Sequence, residues 1–386
     1  MAEAVIVAAG RTPIGRARKG SLTEVRPDEM LAFVLRSVVD RSGIDPASID
    51  DVMVGCGMPH GEQGMNVARV STLIAGLPES IAGTTVNRFC SSSLQTIRMA
   101  FHAIKAGEGD TYVAAGVESI SRTDQLPGGI EALNPKFMDG TFPWNVYIPM
   151  GMTAENVAER FDVSREDMDR FAQQSQERAV AAQRNAFFDR EIIPYPRGDG
   201  TTVDADDGPR PDSTLERLQS LQPVFKPDGG KVTAGNSCPL NDGAAAVIVM
   251  DEDEARAQGL QPLVRIKASS VSGLDPEIMG VGPIEAVRKV LDQAGMTIDD
   301  VDVVELNEAF AAQVIPVCAE IGVDPFSDKL NPHGGAIALG HPYGMTGARI
   351  MSTLINDLST LDRTVGLETM CVGGGQGMAM IVERVT

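Results

Sequence analysis

Short apolar runs alternate along the chain with longer segments in which apolar residues recur every three or four positions. The first kind includes AVIVAAG, DDVMVGC, TYVAAGV and AAAVIVM, and DEMLAFVLRSVVDRSG is typical of the second. Short apolar runs indicate buried strands, whereas the wider spacing indicates amphipathic helices. The pattern therefore predicts an α/β protein whose buried strands are connected by crossing helices.

Two segments share one order of features. Residues 37–55 (SVVDRSGIDPASIDDVMVG) and 288–306 (RKVLDQAGMTIDDVDVVEL) each show a helical stretch, a glycine, an Asp-Asp pair and a short apolar run. Such an internal repeat predicts two related halves, with chance similarity of one pair of segments as the alternative.

The composition and the pattern of apolar residues change over residues 119–232. This region contains TDQLPGGIEALNPKFMDGTFPWN, two helical segments and a stretch rich in Pro, Gly and Asp. Ser164 and Asp167 fit the cap and the acidic third position of the second helix. We predict an inserted loop domain here. The N-terminal half then comprises residues 1–118 and 233–260, and the C-terminal half residues 261–386.

Length, composition and charge limit the classes of protein to which the chain can belong. The 386 residues allow two or three domain equivalents of about 150 residues. An apolar fraction of 43% with 40 glycines describes a globular protein with many tight turns. The formal charge of -20 disfavours general nucleic-acid binding, which needs clustered Lys and Arg. An anionic ligand must therefore meet a local basic patch.

The cysteines indicate a reducing compartment. They are odd in number and scattered without a CxxC pair, at Cys56, Cys90, Cys238, Cys318 and Cys371. This distribution argues against a disulfide framework and a zinc site. The N-terminal MAEAVIVAAGRTPIGR lacks the pattern of a signal peptide, and no apolar run reaches spanning length. We expect a cytoplasmic protein without a membrane span.

In TTVNRFCSSSLQTI, Cys90 stands where a β-branched run ends and a helical period begins. A thiol at such an elbow lies near backbone N–H groups and the positive end of a helix dipole. Both features lower a thiol pKa, and the N–H groups can hold an oxyanion. Cys90 is therefore a candidate nucleophile, with a small buried hydrophobic residue as the alternative.

A glycine-rich segment, NPHGGAIALGHPYGMTGARI, carries His341 in its most constrained part. A histidine between a glycine and a proline does not occupy an ordinary position within a helix, so its presence needs another reason. The chain has only four histidines, so a base for a Cys–His pair comes from a short list. We rank His341 first and His333 second, because His60 and His102 are expected at the surface.

Two further segments carry candidate groups. In LETMCVGGGQGMAM, Cys371 precedes three glycines whose N–H groups can form an anion-holding nest; a hairpin with an incidental cysteine is the alternative. In VVELNEAFAAQ, Asn307 and Glu308 separate a strand from a helix. Asn307 is either a helix N-cap or an amide that holds a water molecule or an oxyanion.

Together these segments resemble the thiolases, acetyl-CoA acyltransferases that make or cleave 3-ketoacyl-CoA. The resemblance covers essentially the whole chain, since RTPIG, GVESIS, TAGNSCPLNDGAAA and MGVGP accompany NRFCSSSLQ, NEAFAAQ, GGAIALGHPYGMTGAR and MCVGGGQG. It implies a five-layered core of two similar βαβαβαββ halves, with the inserted loop domain covering the CoA.

The resemblance also implies catalytic roles. Cys90 would take the acyl group, activated by His341, and Cys371 would move a proton on or off the second substrate. A water on Asn307, together with His341, would hold the enolate thioester oxygen. The backbone N–H groups of Cys90 and Gly373 would hold the tetrahedral intermediate.

The implied substrates are acetyl-CoA and 3-ketoacyl-CoA, with no other cofactor. By resemblance, Arg210 meets the CoA nucleotide, and Met150 and Met279 line the acyl pocket. Cys238 stands near the pantetheine where serine is common, which removes a hydroxyl contact. Two further departures are the three serines that directly follow Cys90, where glycine is often found, and His333, to which the resemblance gives no role. A homodimer or homotetramer is implied, and a partner within a β-oxidation complex is a further expectation.

Pro149 bears on the choice among thiolases. Acetoacetyl-specific enzymes usually carry a histidine there, so proline favours the degradative branch and 3-ketoacyl-CoA thiolysis in fatty-acid oxidation. Acetoacetyl-CoA formation is the close alternative. A β-ketoacyl synthase would have a second histidine in place of Cys371, and a non-catalytic acyl-CoA-binding protein is the alternative from another class.

Overall fold

The protein is described by a computed structural model that covers residues 2–123 and 126–385. Within these ranges the strands are β1 (Ala4–Arg11), β2 (Gly15–Arg16), β3 (Asp51–Gly55), β4 (Ala82–Val86), β5 (Thr111–Ser119), β6 (Tyr195–Pro196), β7 (Thr202–Val203), β8 (Asn241–Asp251), β9 (Val264–Gly273), β10 (Val303–Leu306), β11 (Val365–Val372) and β12 (Gln376–Arg384). The α-helices are α1 (Pro27–Ser42), α2 (Val67–Ile74), α3 (Ser92–Ala106), α4 (Met150–Arg160), α5 (Arg165–Arg184), α6 (Leu215–Gln219), α7 (Glu252–Ala257), α8 (Gly282–Ala294), α9 (Ala311–Ile321), α10 (Ala336–Leu339) and α11 (Thr346–Thr360).

One long mixed sheet runs through both halves in the order β10-β11-β12-β9-β1-β8-β5-β3-β4, and β2 pairs with β8. β3 pairs in parallel with β4 and β5, and β10 pairs in parallel with β11. β1 and β9 join the two halves through the residue pairs Val5 with Arg265 and Ile6 with Val264. The sheet therefore consists of two half-sheets with a narrow junction.

Helices cover both faces of each half-sheet. α3 and α11 lie between the half-sheets, where Leu94 and Ile350 share one apolar cluster with strands of both halves. α1 and α2 cover the outer face of the N-terminal half-sheet, and α8 and α9 cover that of the C-terminal one. These five layers confirm the predicted fold class.

The internal repeat is also confirmed at the level of local structure. α1 ends at Gly43 and α8 ends at Gly295, with φ angles of 75° and 65° that favour glycine. A 3-10 turn follows each glycine, and β3 and β10 follow those turns. The two segments are therefore equivalent parts of the two halves.

The inserted segment packs α4 and α5 on the C-terminal half through a shared apolar cluster. Ser164 caps α5 as predicted, because its side chain accepts the N–H of Asp167. In the described ranges, no helix has the combined length and apolarity that crossing a bilayer requires.

Candidate active site

Cys90 lies at the predicted elbow, in a 3-10 turn (Phe89–Ser91) between β4 and α3. Phe89 has a φ angle of 44°, a value that residues other than glycine rarely adopt. The Ser92 hydroxyl accepts the N–H of Arg88 at 2.9 Å and donates to the carbonyl of Phe89 at 2.7 Å. The serines that follow the cysteine therefore fix the elbow.

Two backbone N–H groups converge on the thiol of Cys90. They belong to Gly373 and to Cys90 itself, and both lower the thiol pKa. Burial has the larger effect and raises the pKa of Cys90 to about 12. The thiol thus holds its proton at neutral pH and needs a base. The groups that could hold an oxyanion already surround the sulfur.

His341 is buried in the loop between α10 and α11 and has a defined tautomer. Its Nδ1 lies 2.7 Å from Oγ1 of Thr346, and that hydroxyl donates to the carbonyl of Pro342 at 2.8 Å. Because a hydroxyl has one proton to donate, it must accept the Nδ1–H of His341. The lone pair of His341 is therefore on Nε2.

The imidazole of His341 is neutral. Burial, with a smaller effect of the positive charge on Arg349, lowers the pKa of His341 to about 3. The backbone N–H of His341 donates to Oδ1 of Asn241 at 3.0 Å, which fixes the loop. A neutral imidazole whose Nε2 carries no proton can act as a general base.

Asn307 faces that nitrogen. Its Nδ2 lies 3.4 Å from Nε2 of His341, and its backbone N–H donates to the carbonyl of Thr369 at 3.0 Å. The N-cap of α9 is Phe310, so the alternative that Asn307 caps this helix is wrong. The amide instead lies against the imidazole of His341.

Cys371 is buried near the end of β11, close to the two other candidate cysteines, Cys90 and Cys238. Burial is the main reason that the pKa of Cys371 is raised, and a thiolate on Cys90 or Cys238 would raise it further. The glycines after it form the turn of the β11–β12 hairpin, with φ angles of 79° at Gly374 and 82° at Gly375. The backbone is thus an ordinary hairpin, but the cysteine in it faces the other candidate groups.

Glu118 organises the loops around the site, a role that sequence reasoning missed. Its buried carboxylate accepts the N–H of Gly57 at 2.8 Å and that of Gly344 at 2.9 Å. Gly344 belongs to the loop that carries His341, so Glu118 ties this loop to the end of β3. A glutamate in the fully buried strand TYVAAGVES was the available signal.

A basic cavity is lined in part by Pro239, the chain neighbour of Cys238. Its volume is about 550 Å³, and Arg16, Arg210 and Arg217 contribute to its lining. Arg217 is paired with Asp212, whereas Arg16 and Arg210 form no ion pair with the described residues. The cavity suits an anionic ligand. Among residues 2–123 and 126–385, no cluster of acidic, histidine or cysteine side chains is arranged to hold a metal ion.

Cys238 connects this cavity to the catalytic candidates. The adjacent Pro239 lines the cavity, and the thiols of Cys238 and Cys90 are close enough that a thiolate on Cys90 would raise the pKa of Cys238. The N–H of Cys238 donates to the carbonyl of Ala309 at 3.0 Å. Burial raises the pKa of Cys238, so this thiol is neutral.

The two predicted acyl-pocket methionines occupy one apolar region. A Cβ on Gly373 would lie 3.8 Å from Sδ of Met150 and 3.5 Å from the ring of Phe89. Met279 is buried in the apolar cluster that contains Cys371 and against which Met150 packs. The methionines are thus placed beside the hairpin and the elbow.

His333 lies outside this arrangement. Its Nδ1 is 2.6 Å from Oδ1 of Asp357, and its ring stacks on Phe187 at 3.6 Å between centroids. Burial lowers the pKa of His333 to about 4. The second-ranked histidine is therefore engaged in packing, and His102 is exposed as expected.

Comparisons with known proteins identify the family of the chain. The family model of the thiolase N-terminal domain matches residues 4–253, and that of the thiolase C-terminal domain matches residues 260–384. The chain belongs to the thiolase family. A 3-oxoadipyl-CoA/3-oxo-5,6-dehydrosuberyl-CoA thiolase of Escherichia coli K12 is 45% identical over 100% of both chains.

Two more relatives of this thiolase differ in the substrates that their names give. A 3-ketoacyl-CoA thiolase of Bacillus subtilis 168 is 43% identical, over 99% of this chain and 100% of the relative. The crystal structure of the Bacillus anthracis acetyl-CoA acetyltransferase superposes with a TM-score of 0.91 and 39% identity, covering 100% of this chain and 99% of the other. The family is therefore clear, while the acyl substrate needs a separate argument.

The raised pKa of Cys90 predicts how this thiolase reacts with an alkylating agent. Only a thiolate attacks iodoacetamide, and a pKa of about 12 leaves the thiolate fraction rising about tenfold per pH unit. We expect the alkylation rate of Cys90 in the free enzyme to rise steadily between about pH 7 and 9, followed by peptide mass. A plateau below pH 7 would mean a preformed thiolate–imidazolium pair and would contradict the neutral state described above.

Proposed function

We propose that this thiolase cleaves 3-ketoacyl-CoA with the thiol of CoA, and that Cys90 carries the acyl group between the two half-reactions. The observation that carries the proposal is the pair of N–H groups, from Cys90 and Gly373, directed at a buried thiol. A tetrahedral intermediate on Cys90 forms its oxyanion next to these donors. The same chemistry in reverse is a Claisen condensation of two acyl-CoA molecules.

The first half-reaction uses His341 and Cys371 in different roles. Nε2 of His341 takes the proton of Cys90 as the sulfur attacks the 3-keto carbon. The bond between C2 and C3 then breaks, and the electron pair forms the enolate of acetyl-CoA. Asn307, with a water molecule, and protonated His341 hold the enolate oxygen. Cys371 gives its proton to C2, and acetyl-CoA leaves.

The second half-reaction returns the enzyme to its starting state. The CoA thiol attacks the acyl group on Cys90, and its proton passes to the thiolate of Cys371. As the thioester bond to Cys90 breaks, protonated His341 returns its proton to the departing sulfur. Oxyanion stabilisation by Cys90 and Gly373 is used again. CoA thioesters are substrates in this scheme, and no further cofactor takes part.

The basic cavity is the proposed site of the CoA nucleotide. Arg210 and Arg16, which form no ion pair with the described residues, supply local positive charge in a chain whose formal net charge is -20. Cys238 then lies along the pantetheine, between the cavity and Cys90. A thiol there donates a weaker hydrogen bond than a serine hydroxyl.

The acyl substrate is proposed to be longer than acetoacetyl. Pro149 precedes α4 and offers its carbonyl, but no N–H, to the first turn of that helix. Met150 and Met279 are flexible and can pack around acyl chains of different length. This supports the degradative substrate class, in keeping with thiolysis in fatty-acid oxidation.

A second candidate substrate class is a 3-ketoacyl-CoA with a terminal carboxylate. Arg88 lies next to the elbow, and its Nη1 bonds the neutral amide of Gln376 at 3.0 Å rather than a carboxylate. A guanidinium in that state can receive a carboxylate from a ligand. The relative from Escherichia coli is named for such substrates.

A chain-length series tests both candidates. Each buried methylene is worth about 0.8 kcal/mol, so kcat/KM for thiolysis is expected to rise roughly three- to fourfold per added methylene from the four-carbon substrate to six or eight carbons. The 3-oxoadipyl-CoA thioester is compared with the six-carbon 3-ketohexanoyl-CoA. A preference above about tenfold for 3-oxoadipyl-CoA that is lost in Arg88→Gln supports the second candidate. Rejection of every chain longer than acetoacetyl-CoA would overturn both.

Assembly and compartment complete the proposal. Met65 and Phe89 expose 93% and 46% of their surface beside the free edge of β4, which supports pairing of two copies there. Trp144 and Phe142 stack on the inserted segment and remain partly exposed, which supports a second contact and a tetramer.

The compartment follows from the cysteines. Reduced catalytic thiols need a reducing compartment, so we propose the cytoplasm. Association with another enzyme of β-oxidation is part of the same proposal.

A further inference from the structure

The thiol of Cys371 hydrogen-bonds to a side chain that has no role in the scheme above. Its Sγ lies 3.5 Å from Oε1 of Gln313, in the first turn of α9. Gln313 is 3% exposed and Cys371 is 2% exposed, so neither side chain exchanges this contact for solvent. Because a thiol donates and an amide oxygen accepts, the contact fixes the direction of the thiol proton.

The other end of the Gln313 amide is unsatisfied. Its Nε2 has no hydrogen-bond partner among the described residues, and neither has Oδ1 of Asn307. Both side chains line a crevice beside Cys371 that is too narrow for a water molecule. A buried N–H group without a partner is unfavourable, so its presence here calls for a second state of the site in which it has one.

The backbone holds Gln313 in this position. Its N–H donates to the carbonyl of Phe310 at 3.0 Å, at the start of α9. Its side chain crosses Gly280 so closely that a Cβ there would lie 2.2 Å from Cδ of Gln313. The amide is therefore confined against Cys371, and its freedom is mainly rotation about its last bond.

We propose that Gln313 is a positioning residue that serves both protonation states of Cys371. The inference rests on the proposed function, in which Cys371 exchanges a proton with the α-carbon of acetyl-CoA. Oε1 accepts the S–H of the neutral thiol. After a half-turn of the amide, Nε2–H donates to the thiolate, which has no proton to give and only accepts.

The proton balance of the step is unchanged by Gln313. In the condensation direction, the C–H bond at the α-carbon breaks, the S–H bond of Cys371 forms, and the electron pair remains on the enolate. The amide stabilises the thiolate before this transfer and the thiol after it. Gln313 itself neither gains nor loses a proton.

Gln313→Met tests the inference, because methionine keeps the unbranched length and removes both amide groups. Exchange of the acetyl-CoA α-protons with deuterium, followed by NMR, is expected to fall roughly 10- to 100-fold, the cost of one hydrogen bond to a charged group. Acylation of Cys90 by a 3-ketoacyl-CoA, which precedes the proton transfer from Cys371, is followed by intact mass and is expected to change by less than about threefold. The same change at Gln174, whose amide donates to the carbonyl of Phe326, is the matched control and is expected to leave both rates unchanged.

Gln313→Glu separates positioning from simple packing. The titratable groups facing Cys371 are Cys90, Cys238 and, behind Asn307, His341. A protonated glutamic acid can donate to the thiolate, whereas its carboxylate repels it. The exchange rate of this variant relative to the parent is therefore expected to fall as pH rises, which a packing defect would not cause.

The outcomes distinguish the inference from the proposed function. Normal exchange in Gln313→Met, with exchange lost in Cys371→Ala, overturns the role of Gln313 and leaves the proposed function in place. Normal exchange in Cys371→Ala overturns the proton-transfer role of Cys371 itself. Equal loss of exchange and Cys90 acylation in Gln313→Met, with a normal melting temperature, also contradicts the inference.

Discussion

Cys90→Ser is expected to lower kcat/KM for thiolysis by about 10³-fold or more. A serine hydroxyl has no thiolate form at neutral pH, and an oxygen ester transfers its acyl group to CoA less readily than a thioester. The hydroxyl still accepts the N–H groups of Gly373 and residue 90, so the elbow is expected to keep its structure. The loss therefore reports chemistry rather than unfolding.

The control for this variant is Cys318→Ser on α9. Cys318 is also buried, but Asp324 and Glu308, rather than the other cysteines, supply the charges that act on it. We expect this control to lose some thermal stability and to keep kcat/KM within about threefold, since no step of the scheme uses it. A Cys90→Ser enzyme with more than about a tenth of the parent activity would contradict the nucleophile assignment.

Cys371→Ala is expected to separate the two half-reactions. Exchange of the α-protons of acetyl-CoA should fall by about 10³-fold or more, because the group that takes the proton is gone. Acylation of Cys90 by a 3-ketoacyl-CoA should change by less than about tenfold, since in the scheme the acyl group is already on Cys90 when Cys371 gives its proton to C2. NMR of the exchange and intact mass of the acyl-enzyme give the two rates.

The Cys371→Ala variant tests whether Cys90 and Cys371 have separate roles in acyl transfer and proton transfer. Equal losses in exchange and acylation would mean that Cys371 supports the site as a whole. Retained exchange would mean that another base, such as His341, takes the α-proton. Either result requires a different assignment of the proton-transfer steps.

Much of the fold was predictable because strands and helix ends depend on patterns among residues that are close in sequence. The apolar runs gave the strands, and left-handed glycines at Gly43 and Gly295 mark equivalent helix ends in the two halves. The elbow at Cys90 followed from a change of period within one segment. These features depend on neighbouring residues, so a single sequence contains their signal.

The arrangement of the site depends on contacts that no local pattern reports. Glu118 and Gly344 are 226 residues apart, and Gln313 and Cys371 are 58 apart. The tautomer of His341 is set by a hydroxyl at Thr346 whose own proton is used elsewhere. The resemblance pointed to the reacting groups, but the side chains that orient them became visible only once the strands and helices were packed together.

The central claim is that Cys90 carries the acyl group, and locating the covalent intermediate tests it most directly. The enzyme is incubated with a 3-ketoacyl-CoA in the absence of free CoA, quenched in acid and digested, and the thioester is placed by peptide mass. The acyl group is predicted on the peptide that contains Cys90, with Cys238 and Cys371 unmodified. An acyl group on Cys371 or Cys238, with Cys90 bare, would contradict the account.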